Sequence, residues 1–246
     1  MFTTGALEGE WFGYRSYDSF GGVPGERVVV VQDWASGVVR GVALGNELGL
    51  RRVGAIGAVA VDALADPQAS TLGLIGAGAQ AFTQLWAIGA VRRLSGVRVY
   101  SRDPERRMSF VRKVSEDLGL RIEAVGSARE AVEGANLVVL ATSSATKVIE
   151  PQWIADGAFV TTLGPKQVGR AEFGPELIDR ADLAVTDSVA QTSAYDPPYI
   201  LAGTPQHERL VGLGEVLDER PAGRTVVFCS VGLAGTEAYL LARLVS

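Results

Sequence analysis

The sequence predicts an α/β fold: a doubly wound, mostly parallel sheet flanked by helices, joined to a smaller α+β part. Three observations carry that prediction. Between about residues 67 and 186, short Val/Leu/Ile runs alternate with longer amphipathic stretches, which is the rhythm of βα units and hence of a parallel sheet with helices on its faces. A glycine turn, Gly76-Ala77-Gly78, joins one such run to a helical stretch. The closing segment 233–244 carries apolar residues on most faces, so it needs another part of the chain to cover it, and the N-terminal segment is the one candidate.

The elements follow in chain order. Residues 27–31 form an apolar run after the turn-like Gly21-Gly22-Val23-Pro24-Gly25, and 38–44 reads as a strand beside it. From 47 to 64 small and apolar residues recur at helical spacing until Asp66-Pro67 ends the pattern, which predicts a tightly packed helix and then a linker. Strands are expected at 72–75, 97–100, 122–125, 137–141, 159–163 and 183–186, with helices between them. Asp103-Pro104 places a capping acid before a proline at the first helical position, and Ser127 with Glu130 has capping-box spacing. Beyond them, Asp196-Pro197-Pro198 marks an irregular crossing, 213–217 is a short apolar segment and 225–229 a strand.

Composition narrows the chemistry. A chain of 246 residues, 47% hydrophobic, can bury one large core or two small ones. Its net charge of -5 and scattered arginines offer no basic field for nucleic acid. No apolar run is long enough to span a bilayer, and the start Met1-Phe2-Thr3-Thr4 lacks a basic region followed by an apolar stretch, so a cytoplasmic location is expected. The single cysteine, Cys229, excludes an internal disulfide and reads as a buried, unreactive strand residue. The single histidine, His207, lies in a polar loop stretch, which leaves little material for a histidine-ligated metal or a Ser-His-Asp triad.

Residues 72–81 read as strand, glycine turn and helix start in the pattern G-x-G-x-x-A, the fingerprint of a Rossmann dinucleotide site. Gly76 permits the tight turn, Gly78 lets the backbone approach a pyrophosphate, and Ala81 is small enough for helix and strand to pack closely. The pyrophosphate would sit on unpaired N–H groups at the positive end of the helix dipole. At the end of the next strand an acid would bond the ribose 2′-hydroxyl of NAD, but Ser101 stands there, followed by Arg102 and, one helical turn on, Arg106 and Arg107. That arrangement favours the 2′-phosphate of NADP over NAD. The alternative is that these arginines are solvated charges at a helix start and Asp103 only its cap.

Four motifs in order make the chain similar to the ornithine cyclodeaminase and mu-crystallin family. Gly13-Tyr14-Arg15 resembles the family's G-V-K strand motif, and Leu50-Arg51-Arg52-Val53-Gly54-Ala55 its L-R-T-x-A helix motif. Residues 76–81 resemble its G-x-G-x-Q-A turn, and Ala141-Thr142-Ser143-Ser144 its A-T-x-S segment. The resemblance implies a Rossmann domain over 67–211 and a substrate and dimerisation domain built from 1–66 with 212–246. It further implies a homodimer through the N-terminal sheet, although the N-terminal part is short for this family, as if an early strand layer were missing or the chain began at an internal start. By the same resemblance Ala79 and Gln80 touch the pyrophosphate, Thr142 and Ser143 line the nicotinamide side, and the turn containing Ser230 and Gly232 closes over the ring. Arg52 lies between substrate carboxylate and cofactor, with Arg15 as a second carboxylate ligand in place of the family's lysine.

A larger departure concerns proton transfer. Where the family places an acid/base aspartate, this chain has Lys166. A buried lysine of lowered pKa could donate a proton to an imine or amine, a charged one could clamp a carboxylate, and a loop lysine outside the pocket would do neither. Glu172 and Asp18 are further carboxylates near the site, at no motif position. What the resemblance implies for function is an NADP-dependent, or NAD-dependent, oxidoreductase acting on an amino or imino acid or a cyclic imine, with Arg52 and Arg15 on the carboxylate and Lys166 on the proton. The other family roles are a non-catalytic carrier of NADPH and a small ligand, as in mu-crystallin, and ornithine cyclodeamination, which needs NAD and a carboxylate base.

Overall fold

A computed structural model describes residues 2–17, 27–219 and 223–246. The expected turn at 21–25 and Asp18 lie outside the described residues. Two compact units emerge, Met1–Val53 with Leu233–Ser246, and Gly54–Gly232.

The chain begins with β1 (Phe2–Leu7), β2 (Trp11–Tyr17), β3 (Arg27–Asp33) and β4 (Val39–Leu44), and α1 (Glu47–Leu64) then runs across the division between the units. Next come β5 (Thr71–Ile75), α2 (Ala79–Val91), β6 (Gly96–Tyr100), α3 (Pro104–Leu118), β7 (Ile122–Ala124), α4 (Ala128–Val132) and β8 (Leu137–Leu140). They are followed by β9 (Phe159–Thr162), β10 (Lys166–Gln167), β11 (Arg170–Ala171), α5 (Glu176–Asp179), β12 (Leu183–Thr186) and α6 (Val189–Thr192). The last elements are α7 (Pro205–Glu208), β13 (Leu210–Gly212), α8 (Leu213–Val216), β14 (Val226–Cys229) and α9 (Thr236–Leu244).

In the smaller unit β1 to β4 form an antiparallel meander in sequence order. Strand alternation sends Trp11, Val29 and Val31 to one face, where they pack with Ala238, Leu241 and Ala242 of α9. Those three residues share one helical stripe. The terminal helix therefore pairs with the N-terminal segment as expected, but along one face only, for Tyr239 and Leu244 are exposed. The opposite sheet face carries Tyr14 beside Val30, and Val30 beside Val42, with Val42 and Leu44 exposed. β1 is not foreseen from the sequence: Phe2, Thr3 and Thr4 suit a strand, but Gly5 interrupts the run, and an edge strand with little burial shows no apolar alternation.

The larger unit holds an eight-stranded sheet in the order β13-β12-β14-β9-β8-β5-β6-β7, parallel throughout. Strands β8, β9 and β14 are buried at every residue, which is why none of them alternates: β8 and β14 read as unbroken apolar runs, and β9 continues from Phe159 and Val160 into the buried β-branched Thr161 and Thr162. β14 lies between β12 and β9 in the sheet interior. Residues 212–232 thus belong with the parallel sheet and 54–66 with the same unit, a correction to the expected division at 66/67 and 211/212. β13, three residues at the sheet edge, is too short to show a period. From β5 the chain moves outward to β6 and β7, then returns to place β8 on the other side of β5. A crevice opens at such a reversal, beyond the carboxyl ends of the strands. Among the described residues no helix is long and apolar enough to cross a membrane.

Candidate active site

The crevice is a cleft of about 560 Å³ at the carboxyl ends of β5, β6, β8 and β9, a size within the usual range for small-molecule sites. Gly76 turns the chain out of β5 with φ of 117° while its N–H donates to Tyr100 O at 2.8 Å. Gly78 is the extended N-cap of α2 and offers no side-chain cap, so the first N–H groups of a thirteen-residue helix are left for a ligand. A Cβ at Gly78 would meet nothing nearer than Arg106 Nη2 at 3.8 Å, which leaves the backbone open and puts a guanidinium beside it. Ala79 and Gln80 line the same stretch.

The end of the cleft at β6 is formed by Ser101, Arg102, Asp103 and Arg106. Asp103 does cap α3, accepting from the N–H groups of Glu105 at 3.0 Å and Arg106 at 3.1 Å. Arg102 and Arg106 nevertheless face the cleft, so capping and anion binding are both served by this helix start. Arg107 is engaged elsewhere, donating to Ser101 O at 2.9 Å and stacking over Tyr100. At the opposite end stand Thr142, Ser143 and Gly164. An uncapped helix end, a bare backbone approach and two arginines suit a phosphate-bearing dinucleotide.

Lys166 is no loop lysine. It begins β10, is 5% exposed, and donates to Leu163 O at 3.0 Å. Burial pushes its ammonium below the ordinary lysine range, an effect opposed by the nearby Glu172 carboxylate. It does not line the cleft. Ala81 does not line it either: fully buried, it belongs to the core between α2 and the sheet, so its role there is packing. Ser230 and Gly232 also fall outside the lining. They are held instead by Asp187, which follows β12 and accepts from Ser230 Oγ at 3.2 Å, Val231 N at 2.7 Å and Gly232 N at 3.0 Å. Burial raises the Cys229 thiol above its usual range, in keeping with an inert strand residue.

The smaller unit brings Arg15 and Arg52 together on one carboxylate that sequence reasoning missed. Glu237 Oε1 accepts from Arg15 Nη1 at 2.5 Å and from Arg52 Nε and Nη2 at 3.1 and 2.8 Å. Glu237 and Arg52 are both buried, at 2% and 7% exposure, and Arg52 Nη1 has no partner among the described residues. Two guanidiniums on one carboxylate leave a positive excess, and a second carboxylate would balance it. The available signal for Glu237 was an acid next to Ala238 at the start of a mostly apolar helix, one turn before Leu241. That for Asp187 was a carboxylate directly after a strand, at the carboxyl end of the parallel sheet where ligands bind.

The all-parallel sheet, the glycine turn after its central strand and the cleft at its switch point define a Rossmann-type α/β protein with an added antiparallel unit. Residues 16–246 match the ornithine cyclodeaminase/mu-crystallin family, and the chain belongs to that family. An uncharacterized cyclodeaminase of Sinorhizobium fredii is 35% identical over 141 residues, 57% of this chain and 43% of that protein. The chain thus spans less than half the length of that relative. Ketimine reductase mu-crystallin of Mus musculus is 28% identical over 220 residues, 88% of this chain and 67% of the relative. Among solved structures, Delta(1)-pyrroline-2-carboxylate reductase of Thermococcus litoralis, in complex with NADH and L-proline, superposes with a TM-score of 0.79 at 25% identity, covering 100% of this chain and 84% of that one.

Proposed function

We propose that this protein is a cytoplasmic NAD(P)-dependent oxidoreductase, preferring NADP, that interconverts an amino acid and its imine or reduces a cyclic imine carrying a carboxylate. The observation that carries the reading is the cleft itself: an uncapped helix start and a bare glycine at its middle, two arginines at one end and a hydroxyl-rich loop at the other. A bound nicotinamide would supply or accept the hydride at the substrate carbon. Ala79 and Gln80 hold the pyrophosphate, Ser101, Arg102 and Arg106 the 2′-phosphate, and Thr142 with Ser143 the nicotinamide side. Arg15 and Arg52 take the substrate carboxylate, their geometry set in advance by Glu237. Lys166, low in pKa through burial, delivers the proton after a rearrangement that brings it to the substrate, and the Ser230–Gly232 turn closes over the site. That the mu-crystallin relative is a ketimine reductase and the Thermococcus relative binds NADH and proline supports the same substrate class.

The test is oxidation of NADPH and NADH by a panel of cyclic imines, and by keto acids with ammonia, followed by absorbance. Turnover is the expected result. Saturable NADPH binding without turnover would instead select a carrier role, which the position of Lys166 outside the cleft lining favours as the second reading. Ammonia release from ornithine without net cofactor reduction would select cyclodeamination.

Cofactor choice has its own check. Arg102→Ala with Arg106→Ala removes charged donors to a 2′-phosphate, and at about 1.5–3 kcal/mol for a hydrogen bond to a charged group, discounted for exposure, NADPH binding should weaken about tenfold with NADH unchanged. Equal weakening of both would assign these arginines to the pyrophosphate or to neither nucleotide in particular. The exposed apolar face of the β1–β4 sheet, with Val42 and Leu44, is the surface for the proposed homodimer.

A further inference from the structure

Glu172 follows β11, is fully buried and does not line the cleft. Its carboxylate nevertheless holds both loops that form the cleft end away from Arg102 and Arg106. Oε2 accepts from Thr142 N at 3.0 Å and Thr142 Oγ1 at 2.7 Å, beyond the end of β8. Oε1 accepts from Leu163 N at 3.1 Å and Gly164 N at 2.6 Å, beyond the end of β9. Each oxygen thus serves one loop, and the side chain acts as a rigid spacer between them. The backbone of Glu172 adds two more ties, donating to Pro165 O at 2.9 Å and accepting from Val148 N at 2.9 Å. The fit leaves no spare room: a Cβ on Gly164 would lie 2.3 Å from Glu172 Oε2 and 2.4 Å from Thr142 O.

The geometry points to Glu172 as the positioning residue for the nicotinamide half of the cofactor, through the Thr142 and Leu163–Gly164 loops it ties together. This rests on the dinucleotide reading above. Only a carboxylate meets the requirement, because all four groups facing it are donors. A glutamine presents one acceptor oxygen and one NH₂, and whichever loop meets the NH₂ confronts donor with donor. That loop would swing away, widening the cleft at one end and leaving the arginine end as it was.

Two ligand pairs separate the halves: NADPH against 2′-phospho-ADP-ribose, and NADH against ADP-ribose, each truncated nucleotide lacking only the nicotinamide. Dissociation constants for the full chain are read by tryptophan quenching or calorimetry. In Glu172→Gln the intact dinucleotide should bind about tenfold more weakly or worse, while the truncated partner stays within about twofold of the unsubstituted protein. Glu172→Asp keeps the charge but reaches one loop at a time, so it should show the same split to a smaller degree, and it carries the comparison if the glutamine variant does not fold. An unchanged dinucleotide affinity, or an equal loss for dinucleotide and truncated nucleotide, overturns the assignment of Glu172 alone. If the unsubstituted chain binds neither dinucleotide, the cofactor reading falls and this inference with it.

Discussion

Gly76→Ala should abolish dinucleotide binding and destabilise the larger unit, because no neighbour can yield to the added methyl. The new Cβ would stand 2.2 Å from Ala141 O and 2.7 Å from Ala141 C, both backbone atoms at the end of β8. It would also sit on a residue whose φ is 117°, a region that side-chain-bearing residues rarely adopt. Overpacking costs about 1–3 kcal/mol and positive φ about 1–2 kcal/mol more, so a loss of about 2–5 kcal/mol is expected from urea denaturation. The strain is relieved by pushing β5 and β8 apart at their carboxyl ends, which is where the cleft lies. A variant that still bound NADPH within about threefold of the unsubstituted protein would show that the turn is not the phosphate cradle.

The contrast with Gly78 sharpens that test. Its Cβ would meet only the tip of Arg106, a flexible side chain at 3.8 Å. Alanine there disturbs the fold little and harms only what a ligand needs, so the two glycines separate folding from binding at neighbouring positions.

Which parts of this architecture could be read without coordinates follows from how each is held. α1 and the central strands are fixed by burial on long or repeated patterns, and such patterns are visible in one dimension: residues 47–64 were legible to the ends of the helix, and β5, β6, β8 and β9 to within one residue. The glycine turn was legible because backbone chemistry restricts it to few residues. β1, β10, β11 and β13 were not: β1 is an exposed edge strand, and β10, β11 and β13 are only two or three residues long, so none of them leaves a buried periodic pattern. The same holds for the site. Residues that offer backbone or charge to the cleft, such as Gly78 and Arg106, follow from the local pattern. Glu237, Asp187 and the four-donor setting of Glu172 depend on segments as far apart as residues 15 and 237 or 187 and 232, and no local pattern records such meetings. Lys166 was located by alignment with a motif, but neither its burial nor its place in the β10–β11 hairpin, an element too short to foresee, shows in the local pattern.

Lys166→Met tests the chemistry that the hairpin makes possible. Methionine matches the lysine stem in bulk, so it fills the site without the amine. If Lys166 is the proton donor, imine reduction should fall about 100-fold to 10,000-fold, whereas NADPH affinity should be unchanged, because the residue does not line the cleft. Stability supplies a readout independent of turnover. Burial lowers the folded-state pKa of Lys166 below the ordinary 10.5, so between those two values the unfolded chain holds more protons than the folded one. Stability therefore climbs with pH across that window: the penalty for a buried ammonium is fully present below the folded pKa and vanishes above the unfolded one. The methionine variant lacks this penalty and should show a flatter stability profile on the alkaline side in urea melts, offset by a loss of about 1 kcal/mol for the Leu163 carbonyl left without its donor. Full turnover in the variant would remove Lys166 from the reaction, and an unaltered pH slope would show that the amine is solvated in the folded protein.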